Sequence, residues 1–142
     1  MSTLERAIAI AAEAHAGQVD KAGGPYVLHP LRVMLSVQAP EDRIVAALHD
    51  VVEDCPGWSF DRLREEGFSE AIVEAVDSVT KREGEEYVDF VKRSAANPIG
   101  RRVKRADLAD NSNLMRIKDP QPKDHERIAR YAKAIAYIES LG

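Results

Sequence analysis

The chain has one cysteine, few aromatic residues, no apolar run of membrane-spanning length and no excess of basic residues. A lone Cys55 excludes an internal disulfide and fits a reducing, cytoplasmic setting. No apolar stretch approaches the ~20 residues a bilayer requires, and the N-terminus is not patterned as a signal peptide, so no membrane association is expected. Lysine and arginine number 20 against 24 acidic residues, a net charge of −4 that argues against general nucleic-acid binding through a basic surface. Repeats, low-complexity segments and linkers are also lacking. What remains is 142 residues, 44% apolar and 31% charged, read as one domain spanning 1–142. A chain of that length can bury around two-thirds of its unfolded surface in one core.

The apolar positions recur at helical spacing throughout, and the β-branched residues follow the same period, so the expected fold is an all-α bundle of about seven to eight helices. Ser2-Thr3-Leu4-Glu5 has capping-box spacing and opens a first helix that ends near Gly17. A loop, 18–26, holds Lys21 and Gly23-Gly24-Pro25; the paired glycines allow a turn or a close backbone approach to a ligand. His29-Pro30 begins a second helix, with Pro30 suited to its first position. A third runs over 41–54, a fourth and fifth over 59–66 and 69–79, and a sixth over 83–96. Asn97-Pro98 caps a seventh helix reaching about residue 117, and the last spans 123–141. His15, in the last turn of the first helix, is read as structural or as support for a site, and Cys55 as a small helix-end residue, rather than as ligands.

The densest chemistry lies in His49-Asp50-Val51-Val52-Glu53-Asp54. On a helical wheel His49, Glu53, Asp50 and Asp54 fall at roughly 0°, 40°, 100° and 140°, one polar stripe. Three carboxylates at the C-terminal end of a helix oppose its dipole at about 0.3–1 kcal/mol each, and an apolar run beside them adds desolvation. A bound cation relieves both. In the seventh helix Lys104, Asp107 and Asn111 are spaced i, i+3, i+7 and share a face; the neighbours Val103, Ala106 and Leu114 mark it as partly buried. The segment fits a shared metal or, equally, a surface Lys104–Asp107 ion pair. Together His29, His49, Asp50 and Asp107 offer two imidazoles and two carboxylates, a set suited to Mn²⁺, Fe²⁺ or a catalytic Zn²⁺ and too nitrogen-rich for a Ca²⁺ cage. Such an ion makes water nucleophilic near neutral pH, and Glu53 and Asp54, one turn further on, stand where protons would be moved. Basic groups gather at Lys21, at Lys81-Arg82 and over 101–105, of which Lys104 and one arginine are expected at a phosphate-bearing substrate.

Taken together, His29, His49-Asp50 with Glu53-Asp54, and Asp107 with Asn111 resemble the HD-superfamily metal phosphohydrolases. Ala14-His15-Ala16-Gly17-Gln18, Lys21, the run 24–30, Val79-Thr80-Lys81 and the run 104–111 narrow the resemblance. They are similar to the ppGpp hydrolase domain of the RelA/SpoT family and to the stand-alone small alarmone hydrolases. The resemblance implies Mn²⁺ on His29, His49, Asp50 and Asp107, with Zn²⁺ or Fe²⁺ as alternatives. It further implies that Glu53 and Asp54 are the acid–base pair for removing the 3′-pyrophosphate, that Asn111 orients substrate or water, and that Lys21 and Tyr26 shape the nucleotide pocket. A small-molecule nucleotide is thus the implied partner, of a monomer or small homo-oligomer. Asp20 stands where the family has an arginine that stacks on guanine, and aspartate cannot stack. Leu108-Ala109 replaces the family's Arg-Leu, and Leu114 a serine or threonine. Two other readings are an HD phosphohydrolase acting on another phosphorylated nucleotide such as NADPH, and a non-catalytic nucleotide-binding module.

Overall fold

A computed structural model describes residues 2–113 and 117–141. Leu114, named above as a helix neighbour and as a departure from the family pattern, lies outside the described residues. Among the described residues there are nine helical segments and no strand, only an isolated bridge between Val19 and Pro25. They are α1 (Leu4–Ala14), α2 (Leu28–Ser36), α3 (Pro40–Leu48), α4 (Val51–Asp54), α5 (Phe60–Glu65), α6 (Glu70–Ser78), α7 (Tyr87–Ala96), α8 (Pro98–Asn111) and α9 (Pro122–Ser140).

Most boundaries follow from capping chemistry. The Thr3 hydroxyl accepts the Arg6 amide, Ser59 that of Arg62 and Ser69 that of Ile72, so α1, α5 and α6 each start where a side chain can satisfy a free N–H. Asn97 accepts the amides of Ile99 and Gly100, with Pro98 filling the first position of α8. Two expectations are corrected. Pro30 is the third residue of α2 rather than the first, which costs nothing because the first four amides of a helix lack partners anyway. The helix expected over 83–96 starts only at Tyr87: Gly84 turns the chain at φ +74°, and the Glu85 carboxylate is committed to Arg93.

The third correction matters most for the site. The helix expected over 41–54 is divided at His49-Asp50 into α3 and the single turn α4. His49 donates its ring Nδ1–H to the Ala46 carbonyl at 2.6 Å, while its backbone amide reaches the same carbonyl at 3.4 Å. A side chain competing for a backbone acceptor loosens the regular ladder.

Two apolar clusters share α8. Ile10, Val33, Leu48, Val51, Val76 and Val103 belong to the larger, among α1, α2, α3, α4, α6 and α8. Val91, Ala95, Leu108, Ala134 and Ile138 form the smaller, where α9 closes over α7 and α8. Each fully buried Leu, Ile or Val side chain contributes roughly 1.5–3 kcal/mol. Because α8 is gripped on two sides, the polar face between its apolar stripes is held opposite α2 and the α3–α4 junction.

Candidate metal centre and adjoining cavity

Four side chains from three places in the chain converge there. His29 Nε2 lies 2.9 Å from Asp107 Oδ1, 3.3 Å from His49 Nε2 and 3.7 Å from Asp50 Oδ2. His49 Nε2 lies 3.2 Å from Asp50 Oδ2 and 3.4 Å from Asp107 Oδ1. Donor atoms about 2.1 Å from one ion stand roughly 3.0–3.4 Å apart, close to what is found. His29, His49 and Asp107 are buried, Asp50 nearly so.

The ring tautomers sharpen the point. His49 gives its Nδ1 proton to Ala46, and His29 Nδ1 lies 2.6 Å from Asp110 Oδ2. Each neutral ring therefore turns its Nε2 lone pair inward, toward the other ring and toward carboxylates. Four acceptors facing one another require a cation, and the donor set fits a divalent one. Without an ion, protons fill that need. Burial by itself lowers the affinity of both imidazoles for protons, but for His29 the Asp107 and Asp110 bonds outweigh it, and for His49 the charges of Asp50 and Asp107 do. Both imidazoles end above their ordinary value. Asp107 is held well below the ordinary carboxylate range: burial opposes this, and Lys104 and His49 override it.

Lys104 is buried, donates to Asp107 Oδ2 at 3.2 Å and lies 4.4 Å from the centre of the Phe90 ring. The ion pair read as one alternative thus exists, inside the protein rather than on its surface, and on the same Asp107 that faces the imidazoles. Asn111 donates to Asp107 Oδ1 at 3.0 Å. Two residues that sequence reasoning missed complete the support. Asp110 grips His29, and Arg32 grips Asp110 at 2.8 and 3.1 Å. A signal was present: His29 and Arg32, like Asp107 and Asp110, are spaced i, i+3 on facing helices.

Beside the imidazoles, Tyr26 donates to Asp50 Oδ2 at 2.5 Å and approaches Asp54 Oδ2 at 3.5 Å. Burial, then the charge of Asp50, pushes its phenol above the ordinary range. Burial likewise raises both Glu53 and Asp54, with the Lys81 backbone amide pulling Glu53 partly back. That amide donates to Glu53 Oε1 at 2.7 Å, while the Lys81 side chain is exposed. His15, buried, donates its Nδ1–H to Gln18 Oε1 at 2.8 Å and packs its ring 5.0 Å from that of Tyr26.

An open cavity of about 350 Å³ adjoins this centre. Lys21, Tyr26, His29 and Asn111 line it, joined by Arg127 and Tyr131 of α9, which were not singled out in the sequence. Lys81 and Lys104 are not among its lining. Asp20 borders it too, yet its Oδ1 already accepts the amides of Ala22 and Gly24 at 2.9 Å each. The residue read as a lost stacking arginine is a clamp on its own loop.

The HD-domain family model matches residues 7–135. A probable GTP pyrophosphokinase of Mycobacterium leprae is 34% identical over 134 residues, covering 85% of this chain and 17% of the relative. The guanosine-3′,5′-bis(diphosphate) 3′-pyrophosphohydrolase of Haemophilus influenzae is 34% identical over 85% of this chain, and 20% of that protein is covered. The chain thus spans about a fifth of the length of the curated relatives it matches. A solved metazoan ortholog of SpoT, described as hydrolysing ppGpp, superposes with a TM-score of 0.76 over 97% of this chain and 85% of that one; its 21% identity speaks for the fold. The chain belongs to the HD-domain family.

Proposed function

We propose that this protein is a Mn²⁺-dependent hydrolase that removes the 3′-pyrophosphate from guanosine 3′,5′-bis(diphosphate), ppGpp, yielding GDP and pyrophosphate. We take it to act as one domain, in the cytoplasm, on a small nucleotide. The observation that carries the reading is that His29 and His49 lie 2.9–3.7 Å from each other and from the carboxylates of Asp50 and Asp107, with the Glu53 and Asp54 carboxylates beyond Asp50. The names of the relatives support the substrate class.

A divalent cation on the four side chains would supply Lewis acidity toward water and a phosphoryl oxygen. The chain's own residues supply the proton traffic. Glu53 and Asp54 bind protons more tightly than ordinary carboxylates because both are partly buried, which brings an acid and a base closer to neutral pH. One accepts the proton lost by water as it attacks phosphorus; the other gives a proton to the departing 3′ oxygen. Tyr26, bonded to Asp50 and adjacent to Asp54, keeps the two functions at fixed separation. Lys21, Arg127 and Asn111 border the space where the nucleotide would lie, whereas Lys104 is assigned to Asp107. Asp20, committed to its loop, leaves guanine without a stacking cation there, so dependence on the base should be weak.

The test is a Mn²⁺-supplemented assay of ppGpp, its adenine counterpart and NADPH, with Glu53→Gln and Asp54→Asn proteins shown to retain metal. Pyrophosphate release from ppGpp, cut about 10²–10⁴-fold in either variant, is expected. Turnover of NADPH alone, or near-full activity in both variants, would overturn the reading.

A further inference from the structure

Residues 79–86 lead from the end of α6 to the start of α7, and pass Glu53 on the way. The Lys81 backbone N–H ties them to that carboxylate, donating to Glu53 Oε1 at 2.7 Å. That N–H belongs to the same peptide unit as the Thr80 carbonyl, which accepts Arg93 Nη2 at 2.7 Å. A peptide unit is planar, and in the trans form its C=O and N–H point in opposite directions. Fixing the oxygen on one side therefore aims the N–H on the other. A guanidinium on the carbonyl also polarises the unit and strengthens its N–H as a donor.

Arg93 is built to hold that oxygen still. Its Nη1 donates to the Asp77 carbonyl at 2.7 Å, and its Nε and Nη2 grip Glu85 Oε2 and Oε1 at 2.9 Å each. Of its two carbonyl partners, Asp77 lies in the last turn of α6 and Thr80 just beyond the end of that helix. Glu85 in turn accepts the Arg82 amide at 3.1 Å, so the guanidinium and the loop backbone close on each other. Arg93 and Glu85 side chains are only 20% and 13% exposed. Nothing in the motifs of the site points to Arg93, which lies 40 positions beyond Glu53 on a different helix.

We propose that Arg93 is a positioning residue: through the Thr80–Lys81 peptide it sets the orientation of Glu53 at the active site. The proposal rests on Glu53 being one of the acid–base pair. A planar guanidinium donating from all three nitrogens is needed to reach Thr80, Asp77 and Glu85 at once, and an ammonium cannot reproduce it. A misdirected base leaves substrate binding intact and slows the chemical step.

Two measurements test this, on Arg93→Met and on the milder Arg93→Lys, which retains the charge if the first fails to fold. In metal-free protein, amide exchange at Lys81 should accelerate at least 10-fold in Arg93→Lys, with α3 and α8 amides unchanged. In turnover of ppGpp, kcat should fall about 10- to 100-fold with KM within 2-fold. Placed on Glu53→Gln, Arg93→Lys should then cost less than 2-fold more, since it acts only through the carboxylate already removed. Unchanged Lys81 exchange, or effects that multiply in the double variant, overturn the proposal. Full turnover by Glu53→Gln alone would instead overturn the acid–base assignment, a failure the Lys81 exchange readout keeps distinct.

Discussion

Gly100 sits in the third position of α8, where α6, α7 and α8 meet, and replacing it with alanine sets two opposite effects against each other. Helix propensity alone favours alanine by about 1 kcal/mol. Sterics oppose it. A Cβ at residue 100 would lie 2.0 Å from Ser78 Oγ, 3.2 Å from Ser78 Cβ and 2.9 Å from the Ser94 carbonyl oxygen. Ser78 could rotate, but its hydroxyl is buried and bonded to the Ala75 carbonyl at 2.6 Å, and losing that bond costs about 1 kcal/mol. The Ser94 oxygen is backbone, within reach of the Asn97 amide at 3.3 Å, and cannot rotate away. Overpacking of this kind costs about 1–3 kcal/mol. Sterics win, by about 1–3 kcal/mol net, which in a chain of this size lowers Tm by roughly 2–10 °C. Adding Ser78→Ala removes the 2.0 Å contact and leaves the others, so it should recover only part of the loss. Thermal unfolding followed by circular dichroism measures both variants. A Tm for Gly100→Ala equal to or above wild type would mean that α6 and α8 are not in the close contact described.

Three further outcomes are expected. Asp110→Asn should weaken Mn²⁺ binding about 10- to 100-fold by calorimetric titration, because His29 loses the anionic partner that makes its Nε2 a strong donor to metal; an unchanged Kd refutes that role. Chelation should lower Tm more at pH 8.5 than at pH 6. The imidazoles of His29 and His49 have raised pKa values, so the stability their protons confer is complete below about pH 6.5 and disappears as pH rises through the raised values, where only a metal can replace it; equal shifts at both pH values contradict the linkage. Glu85→Gln should cost about 1–2 kcal/mol at pH 7 in urea unfolding. Arg93 depresses the Glu85 pKa from 4.5 to about 2, so its contribution is present above pH 4.5 and fades as pH falls toward 2; a gap between wild type and variant that persists at pH 2 would refute the assignment.

The residues proposed to hold the metal were legible because their pattern conflicts with local rules. Adjacent carboxylates at a helix C-terminus are unfavourable, and Lys104, Asp107 and Asn111 share a face by spacing alone, so periodicity could find both without tertiary information. Helix existence was legible for the same reason, since capping residues such as Thr3, Ser59, Ser69 and Asn97 act within one turn. The break at His49-Asp50 was not, because it depends on a ring hydrogen bond to Ala46 that no hydrophobic period records. Lys104 illustrates a different gap. Its place beside Asp107 follows from spacing, but whether its ammonium faces substrate or the interior depends on Phe90, from another helix.

Asp20 shows how one residue carries a local and a remote meaning that sequence cannot rank. Compared with relatives, it is a missing guanidinium, and the expected consequence concerns the base of the nucleotide. In its own loop, an aspartate two and four residues ahead of Ala22 and Gly24 is a clamp whose oxygen takes both amides at 2.9 Å, with Gly23 turned to φ +85° between them. Side-chain capping of a turn needs only nearest neighbours and forms whatever lies in the cavity, so the local meaning takes precedence. The same ordering explains Arg93: its bonds to Asp77, Thr80 and Glu85 are structural, and their effect on Glu53 emerges only because one peptide plane has two ends. Residues that act on chemistry through backbone leave no spacing motif, because the group that touches the site is an amide that any residue but proline would supply.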